Sequence, residues 1–364
     1  MGDAGPVKAA LQFLANRDWN TATDPDSVHE KLLDVSKLGP MGEYNVSVGS
    51  PALVGEAGAT QTLAVTLTRT QTHFETVTFA LNVPAPLTAS LDKPSLLGFT
   101  ANAASLTVVV PPATPGGSYP ITLTSTDGPH VHTATTTVVV ENDPPTAFAP
   151  NVVIAAARVA SSRTAARVRV SWQKATDASS AIVGYQLQVA VDAGAWGGTK
   201  SFPGGVTTTS PWASYGHRYQ FRLRARDAAG NWSEWQVSTP LTVALVQDTS
   251  SALRYSTGWQ TLSSKYASGG RYHYTTRVGA TVSFTTTARQ FAIDDRVSPS
   301  GGWAYVYVNG VYQAKISLYA SSASYMHVLW SKDFGTSATR TITIKATGTA
   351  ARPRVYLDAI LVGR

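Results

Sequence analysis

Along most of its length the chain alternates polar and apolar residues with period two, in short runs separated by Pro, Gly and Asn. Thr62 to Thr68, Thr76 to Leu81, Ser105 to Val110, Tyr119 to Thr124 and Thr135 to Val140 set Thr or Ser against aliphatic residues. That is the pattern of strands with one buried face. The alternation continues through Val168 to Trp172, Val183 to Val189, Tyr219 to Asp227, Ala304 to Asn309 and Ile342 to Ile344. One segment departs from it. Val7, Ala10, Leu11 and Leu14 fall at i, i+3, i+4 and i+7 behind Pro6, which predicts a short amphipathic helix that must pack on something else. The pattern predicts an all-β chain of tandem β-sandwiches behind a short N-terminal helical stub. Its divisions are 1–42 for the stub, 43–142 and 143–245 for the first two sandwiches, and 246–364 for the third, with Asn142-Asp143-Pro144-Pro145 as a linker.

Composition agrees with that division. Hydrophobic residues make up 43% of 364, enough for three cores of about 100 residues each. Cysteine is absent, which excludes disulfides, thiolate zinc sites and cysteine nucleophiles. No apolar run reaches the length of a membrane span. Met1 to Pro6 lacks the basic head and apolar core of a signal peptide, so export is expected by another route or as the tail of a longer protein. Charge is divided unevenly. Residues 1–145 hold 6 Lys/Arg against 13 Asp/Glu, residues 146–245 hold 10 against 4, and residues 246–364 hold 13 against 5. The basic C-terminal half suits acidic polymers of the cell envelope or acidic polysaccharide. Without a dense Lys/Arg cluster, nucleic acid is not an expected partner.

Several groups of residues carry possible chemistry. His73, His130 and His132 lack a carboxylate pair nearby in sequence and read as a solvated strand face. Arg222, Arg224 and Arg226 sit two apart on one sheet face, and Trp232 and Trp235 supply indoles to interleave with them as a stabilising ladder. Asp294-Asp295 fails as a glycosidase pair, because strand neighbours point to opposite faces. Trp303, Tyr305 and Tyr307 share one face of a strand whose other face carries Ala304, Val306 and Val308. Either set can fill the core. If the aliphatics do, the three aromatics form a platform for stacking on sugar rings, with Trp259, Tyr266 and Trp330 as further candidates.

Four resemblances extend this reading. The helix with Val7-Lys8-Ala9-Ala10-Leu11, followed by Leu32 to Leu38, resembles the closing part of a subtilisin-like serine protease domain. That family's Gly-Thr-Ser-Met-Ala nucleophile motif would lie before Met1. The segment Pro112 to Tyr119, within its alternating strands, resembles bacterial Ig-like modules. Val168 to Trp172, Val183 to Val189 and Tyr219 to Asp227 resemble a fibronectin type III domain. Residues 246–364, with Tyr255-Ser256-Thr257-Gly258-Trp259 and the Asn309-Gly310 turn, resemble a galactose-binding-like jelly roll. The last resemblance implies carbohydrate binding and a structural calcium at Asp248 and Asp358, although two carboxylates alone do not complete a calcium site. No nucleophile, base and acid constellation can be assembled, so the chain is expected not to be an enzyme. The expected function is a non-catalytic accessory and attachment region of a secreted or cell-surface serine protease, with polysaccharide or a cell-envelope polymer as partner. The alternative is a structural surface protein, an adhesin or filament subunit assembled with other copies of itself.

Overall fold

The structure, a computed structural model, describes residues 42–51, 59–70, 73–98 and 101–364. The expected helix and Leu32 to Leu38 lie outside the described residues. The fold is all-β, and the chain divides into two compact units. One holds residues up to Pro144 together with the short segments 178–181 and 227–231; the other holds 145–177, 182–226 and 232–364.

In the first unit two four-stranded antiparallel sheets face each other. One runs Tyr44–Val48, Thr60–Arg69, Ala103–Val109, Thr88–Leu91; the other runs Ser95–Leu96, Val77–Asn82, Gly117–Thr126, Val131–Val140. The period-two pattern explains the core. Leu63, Val65 and Leu67 point inward from one strand and meet Leu106, Val108, Ile121, Leu123 and Val138, while the intervening Thr residues face out. This is an Ig-like sandwich.

The second unit begins as a fibronectin type III sandwich. Asn151–Ile154 and a strand pair formed with Ala165–Ser171 make one sheet; Lys200–Pro203, Ile182–Val191, Arg218–Asp227 and Leu241–Gln247 line up in the other. Trp172 fills the space between them, its ring 5.6 Å from Tyr185 and 5.5 Å from Phe202. On the outer face the expected ladder is present and longer than the sequence indicates. Arg222 lies 4.7 Å from Trp196 and 4.4 Å from Trp235, Arg224 lies 4.7 Å from Trp235 and 4.3 Å from Trp232, and Arg226 lies 5.7 Å from Trp232. Gln186 and Gln188 fix the guanidinium planes by accepting from Arg224 and Arg222.

Residues 246–364 form a further two-sheet sandwich. Its small sheet is Trp259–Ser263, Arg271–Thr275, Val355–Leu357; its large sheet is Ala359–Gly363, Thr281–Val297, Ser324–Ala346, Trp303–Val308, Val311–Ser317. The large sheet is continuous with the fibronectin-like one. Strand Leu241–Gln247 pairs through Leu241 and Thr242 with Arg218–Asp227, then through Val243 to Gln247 with Ala359–Gly363. Ala292, Val328 and Leu361 accordingly pack into the fibronectin-like core, whereas Phe291, Ile293 and Ile360 pack into the core of the third sandwich. Alternate residues of the long strand Thr281–Val297 thus serve two cores.

Candidate functional site

Strand Trp303–Val308 resolves which of its faces is inward. Ala304, Val306 and Val308 are buried in the core, and Trp303, Tyr305 and Tyr307 stand half-buried on the opposite face. The Asn309-Gly310 turn, with φ of 49° and 76°, returns the chain as the neighbouring strand. Lys315 then lies opposite Tyr305, and after a register irregularity Tyr312 lies opposite Tyr307. Ring centroids are 5.8 Å apart for Tyr305 and Tyr312, 6.0 Å for Tyr307 and Tyr312, and 6.5 Å for Tyr305 and Tyr307. All three pairs meet edge to face. The Lys315 ammonium sits 4.6 Å from the Trp303 ring centroid.

The same face continues across the sheet through register. Lys345 pairs with Tyr305 and Thr343 with Tyr307; Thr281 and Ser283 follow on the next strand. Beyond them, Thr285 and Thr341 hydroxyls meet at 2.8 Å and those of Thr287 and Thr339 at 3.1 Å. The result is a surface that is aromatic at the sheet edge, cationic beside it and hydroxyl-rich further in. Sequence reasoning missed Tyr312 and Lys315. The Asn-Gly turn was the signal for Tyr312, because a two-residue hairpin sets it opposite Tyr307, whereas the register irregularity that brings Lys315 opposite Tyr305 has no signal in the sequence.

Charge on this sandwich is more one-sided than its composition indicates. Of its five acidic residues, Asp248, Asp294, Asp295 and Asp358 are buried, and Asp333 pairs with Arg289 at 2.6 Å. The remaining cations therefore dominate the surface presented to a polymer.

Trp259 and Trp330 are held elsewhere. The Trp259 indole donates to the Thr281 carbonyl at 3.0 Å with its ring against Tyr255, and Trp330 packs half-buried against the core opposite Ile293. Tyr266 is exposed beside Tyr325 and lines a separate 490 Å³ cleft with Ala323, Ser324 and Met326.

Asp248 and Asp358 are neighbours, the Asp248 N–H donating to the Asp358 carbonyl at 3.0 Å. His273 Nδ1 lies 2.8 Å from Asp248 Oδ2, and the Ser268 N–H reaches both oxygens of Asp358 at 3.0 and 3.1 Å. Burial pushes the Asp248 carboxyl above the ordinary aspartate range, and burial with the nearby Asp294 and Asp248 charges lifts Asp358 to about 7 against the Ser268 bond. A calcium ion takes six to eight oxygens. Here the Ser268 N–H and the His273 imidazole take three of the four carboxylate oxygens, and Asp248 Oδ1 is left buried without a partner, as is Oε1 of the neighbouring Gln247, so the two carboxylates alone do not supply that set. Asp294 accepts from the Ser161 hydroxyl at 2.5 Å and Asp295 from the Arg296 N–H at 2.7 Å. Burial lifts Asp294 to about 6 and also pushes Asp295 well above the ordinary aspartate range.

No protein-family model matches the chain, and no curated protein matches it. Among solved structures it is similar to domains A168-A170 from titin, with 17% identity and a TM-score of 0.32 over 55% of this chain and 66% of that one. A chimeric titin Z1Z2 carrying an exogenous decorin peptide gives 16% identity and 0.30 over 54% of this chain and 94% of that one. The chicken CNTN1 FN1-FN3 domains give 10% and 0.22 over 86% and 98%. The sandwich class of each domain rests on its own strand order, described above.

Proposed function

We propose that the chain is a non-catalytic accessory and attachment region that binds polysaccharide or a cell-envelope polymer, of acidic character, through the outer face of its third sandwich. The observation that carries this reading is the continuous surface of Trp303, Tyr305, Tyr307, Tyr312 and Lys315. Flat aromatic rings stack on the apolar faces of sugar rings, while lysines and rows of hydroxyls engage carboxylate, phosphate or hydroxyl groups along a polymer. An accessory or structural role fits a chain of Ig-like and fibronectin-like sandwiches. The resemblance of Leu32 to Leu38 to the end of a subtilisin-like domain supports a secreted serine protease as the parent.

Affinity electrophoresis of the full chain in gels containing an acidic polysaccharide, a neutral glucan or teichoic acid tests the reading. Retardation by the acidic polymers, lost in a variant carrying Tyr305→Ala, Tyr307→Ala and Tyr312→Ala, is expected. Mobility unchanged by every polymer, or retardation indifferent to the triple substitution, would remove the aromatic face as the binding surface.

A further inference from the structure

Phe221, Leu223 and Ala225 fill the fibronectin-like core, so Arg222, Arg224 and Arg226 on the same strand stand in a row on its outer face. Along an extended strand, side chains two residues apart are separated by about 6.6–6.8 Å. The rings of Trp196 and Trp235 lie against Arg222, and those of Trp232 and Trp235 against Arg224. On strand Ile182–Val191, Gln188 accepts from Arg222 Nε at 2.8 Å, and Gln186 accepts from Nε and Nη2 of Arg224 at 2.9 and 2.7 Å. Two long side chains are thus held before any ligand arrives, and their rotamer freedom is not lost on binding.

What the ladder leaves open is chemically specific. Nη1 and Nη2 of Arg222 and Nη1 of Arg224 have no acceptor among the described residues, and none of the three is buried. Neither guanidinium has an ion-pair partner among the described residues. Residues 146–245 hold ten Lys/Arg against four acids, and of those four Asp227 is buried and Asp192 pairs with His217 at 2.7 Å. Planar, fixed and without counter-charge, the two groups are preorganised forks for oxygen anions.

A ligand that satisfies both forks must present oxyanions at the same repeat. An extended peptide with Asp or Glu at alternate positions does so by construction, because its side chains on one face recur at the distance that separates the arginines. We propose that this face docks an extended acidic segment of a partner protein, whose alternate carboxylates meet Arg222 and Arg224. Arg222 projects from the sheet face opposite Leu223, and Tyr305 from the face opposite Val306. Leu223 belongs to the fibronectin-like core and Val306 to the third core, and those cores lie on opposite faces of the shared sheet. The arginine row and the tyrosine surface therefore occupy opposite faces, and the docking does not depend on polymer binding.

Fluorescence anisotropy of the full chain with a dye-labelled peptide of alternating Glu and Thr, at low ionic strength, tests this. Saturable binding is expected, at least fivefold tighter than for a peptide carrying as many glutamates at every third position, which an extended chain projects to both faces. Arg222→Gln with Arg224→Gln should weaken it at least tenfold. Arg222→Lys with Arg224→Lys should weaken it at least threefold, because lysine keeps the charge and loses the planar fork. The charge-matched pair Arg167→Gln and Arg254→Gln, on other strands, should leave affinity within twofold. Circular dichroism melts check each variant, and the lysine pair decides if the glutamine pair is unfolded at the assay temperature. Absence of saturable binding, equal affinity for the two peptides, an affinity unchanged by the ladder substitutions, or equal weakening by the charge-matched pair overturns the proposal. So does polygalacturonate competing as well as the peptide at equal carboxylate concentration, which would assign the row to an acidic polymer.

Discussion

The side-chain amide of Gln290 donates from Nε2 to the Val152 carbonyl at 2.9 Å, and its oxygen accepts the Ile154 N–H at the same distance. A side chain of the third sandwich thereby supplies the hydrogen-bonding pattern of a neighbouring strand to the first strand of the fibronectin-like one. Gln290→Leu leaves a buried N–H and a buried C=O unpaired, each costing about 1–3 kcal/mol. Urea unfolding of the full chain should show the transition of the second unit destabilised by about 2–6 kcal/mol and that of the first unit unmoved. Equal loss in both units would contradict the bridging role.

The continuous sheet predicts what a cut between Leu245 and Val246 does. It divides strand Leu241–Gln247, exposes Ala292, Val328 and Leu361 from the fibronectin-like core, and strands Gln290 without partners. Fragments 143–245 and 246–364 should each melt well below fragment 145–364 or aggregate, as exposed apolar faces and open strand edges require. Two soluble fragments with undiminished melting temperatures would show the shared core to be dispensable.

Period-two alternation made the strands and their packing into sandwiches legible in the sequence, because both depend on local residue order. The shared sheet was not legible. A linker-free transition at Leu245-Val246 carries no turn residue, and the two-sided burial of Thr281–Val297 depends on a partner far away in the chain. The same reason hid the carboxylate shared by His73 and His130, because Asp127 meets His73 from 54 residues away in the chain. Trp259 and Trp330 read in the sequence as loop aromatics at the mouth of the sandwich, whereas both stand in strands with their half-buried rings packed against the core, a commitment that nothing local reveals.

Buried carboxyls give the second unit a stability profile that falls with rising pH. Asp294 titrates at about 6 and Asp358 at about 7 in the fold, chiefly because burial disfavours the charged form. Unfolded aspartate titrates near 3.9. Between about pH 4 and 7 the native state thus holds protons the unfolded chain has released, so raising the pH favours unfolding, by up to about 1.4 kcal/mol per pH unit for each group within its window. Calorimetric melts at pH 5 and pH 8 should place the second transition lower at pH 8, and Asp294→Asn should flatten the difference. A melting temperature that rises over this interval would contradict the assignment.

The arginine–tryptophan ladder predicts unequal costs for its indoles. Trp235 lies against both Arg222 and Arg224, while Trp196 meets Arg222 alone. At about 0.5–1 kcal/mol per contact, Trp235→Ala should cost about 1–2 kcal/mol and Trp196→Ala about half that. Denaturant midpoints at unchanged m-value measure both. Equal costs would show that simple loss of surface packing outweighs the cation–π contacts.

Stability and binding should separate on the two faces of one strand. Val306 is fully buried, and Tyr307, the next residue, projects from the opposite face beside Tyr305 and Tyr312. Truncating Val306 to Ala removes two methyl groups from a packed core and leaves a cavity, at a cost of about 1–3 kcal/mol. The outer face retains its rings and Lys315, so polymer affinity measured well below the melting transition should stay within about twofold. Tyr307→Ala reverses the pattern. Its half-buried ring contributes edge contacts worth about 0.5–1.5 kcal/mol to the fold, but its loss removes one of the three tyrosine rings that meet on the outer face, and affinity for an acidic polysaccharide should fall at least tenfold. Melting temperature and affinity electrophoresis on the same two variants measure both effects. If the two quantities fall together in both variants, the outer face has no function separate from the fold.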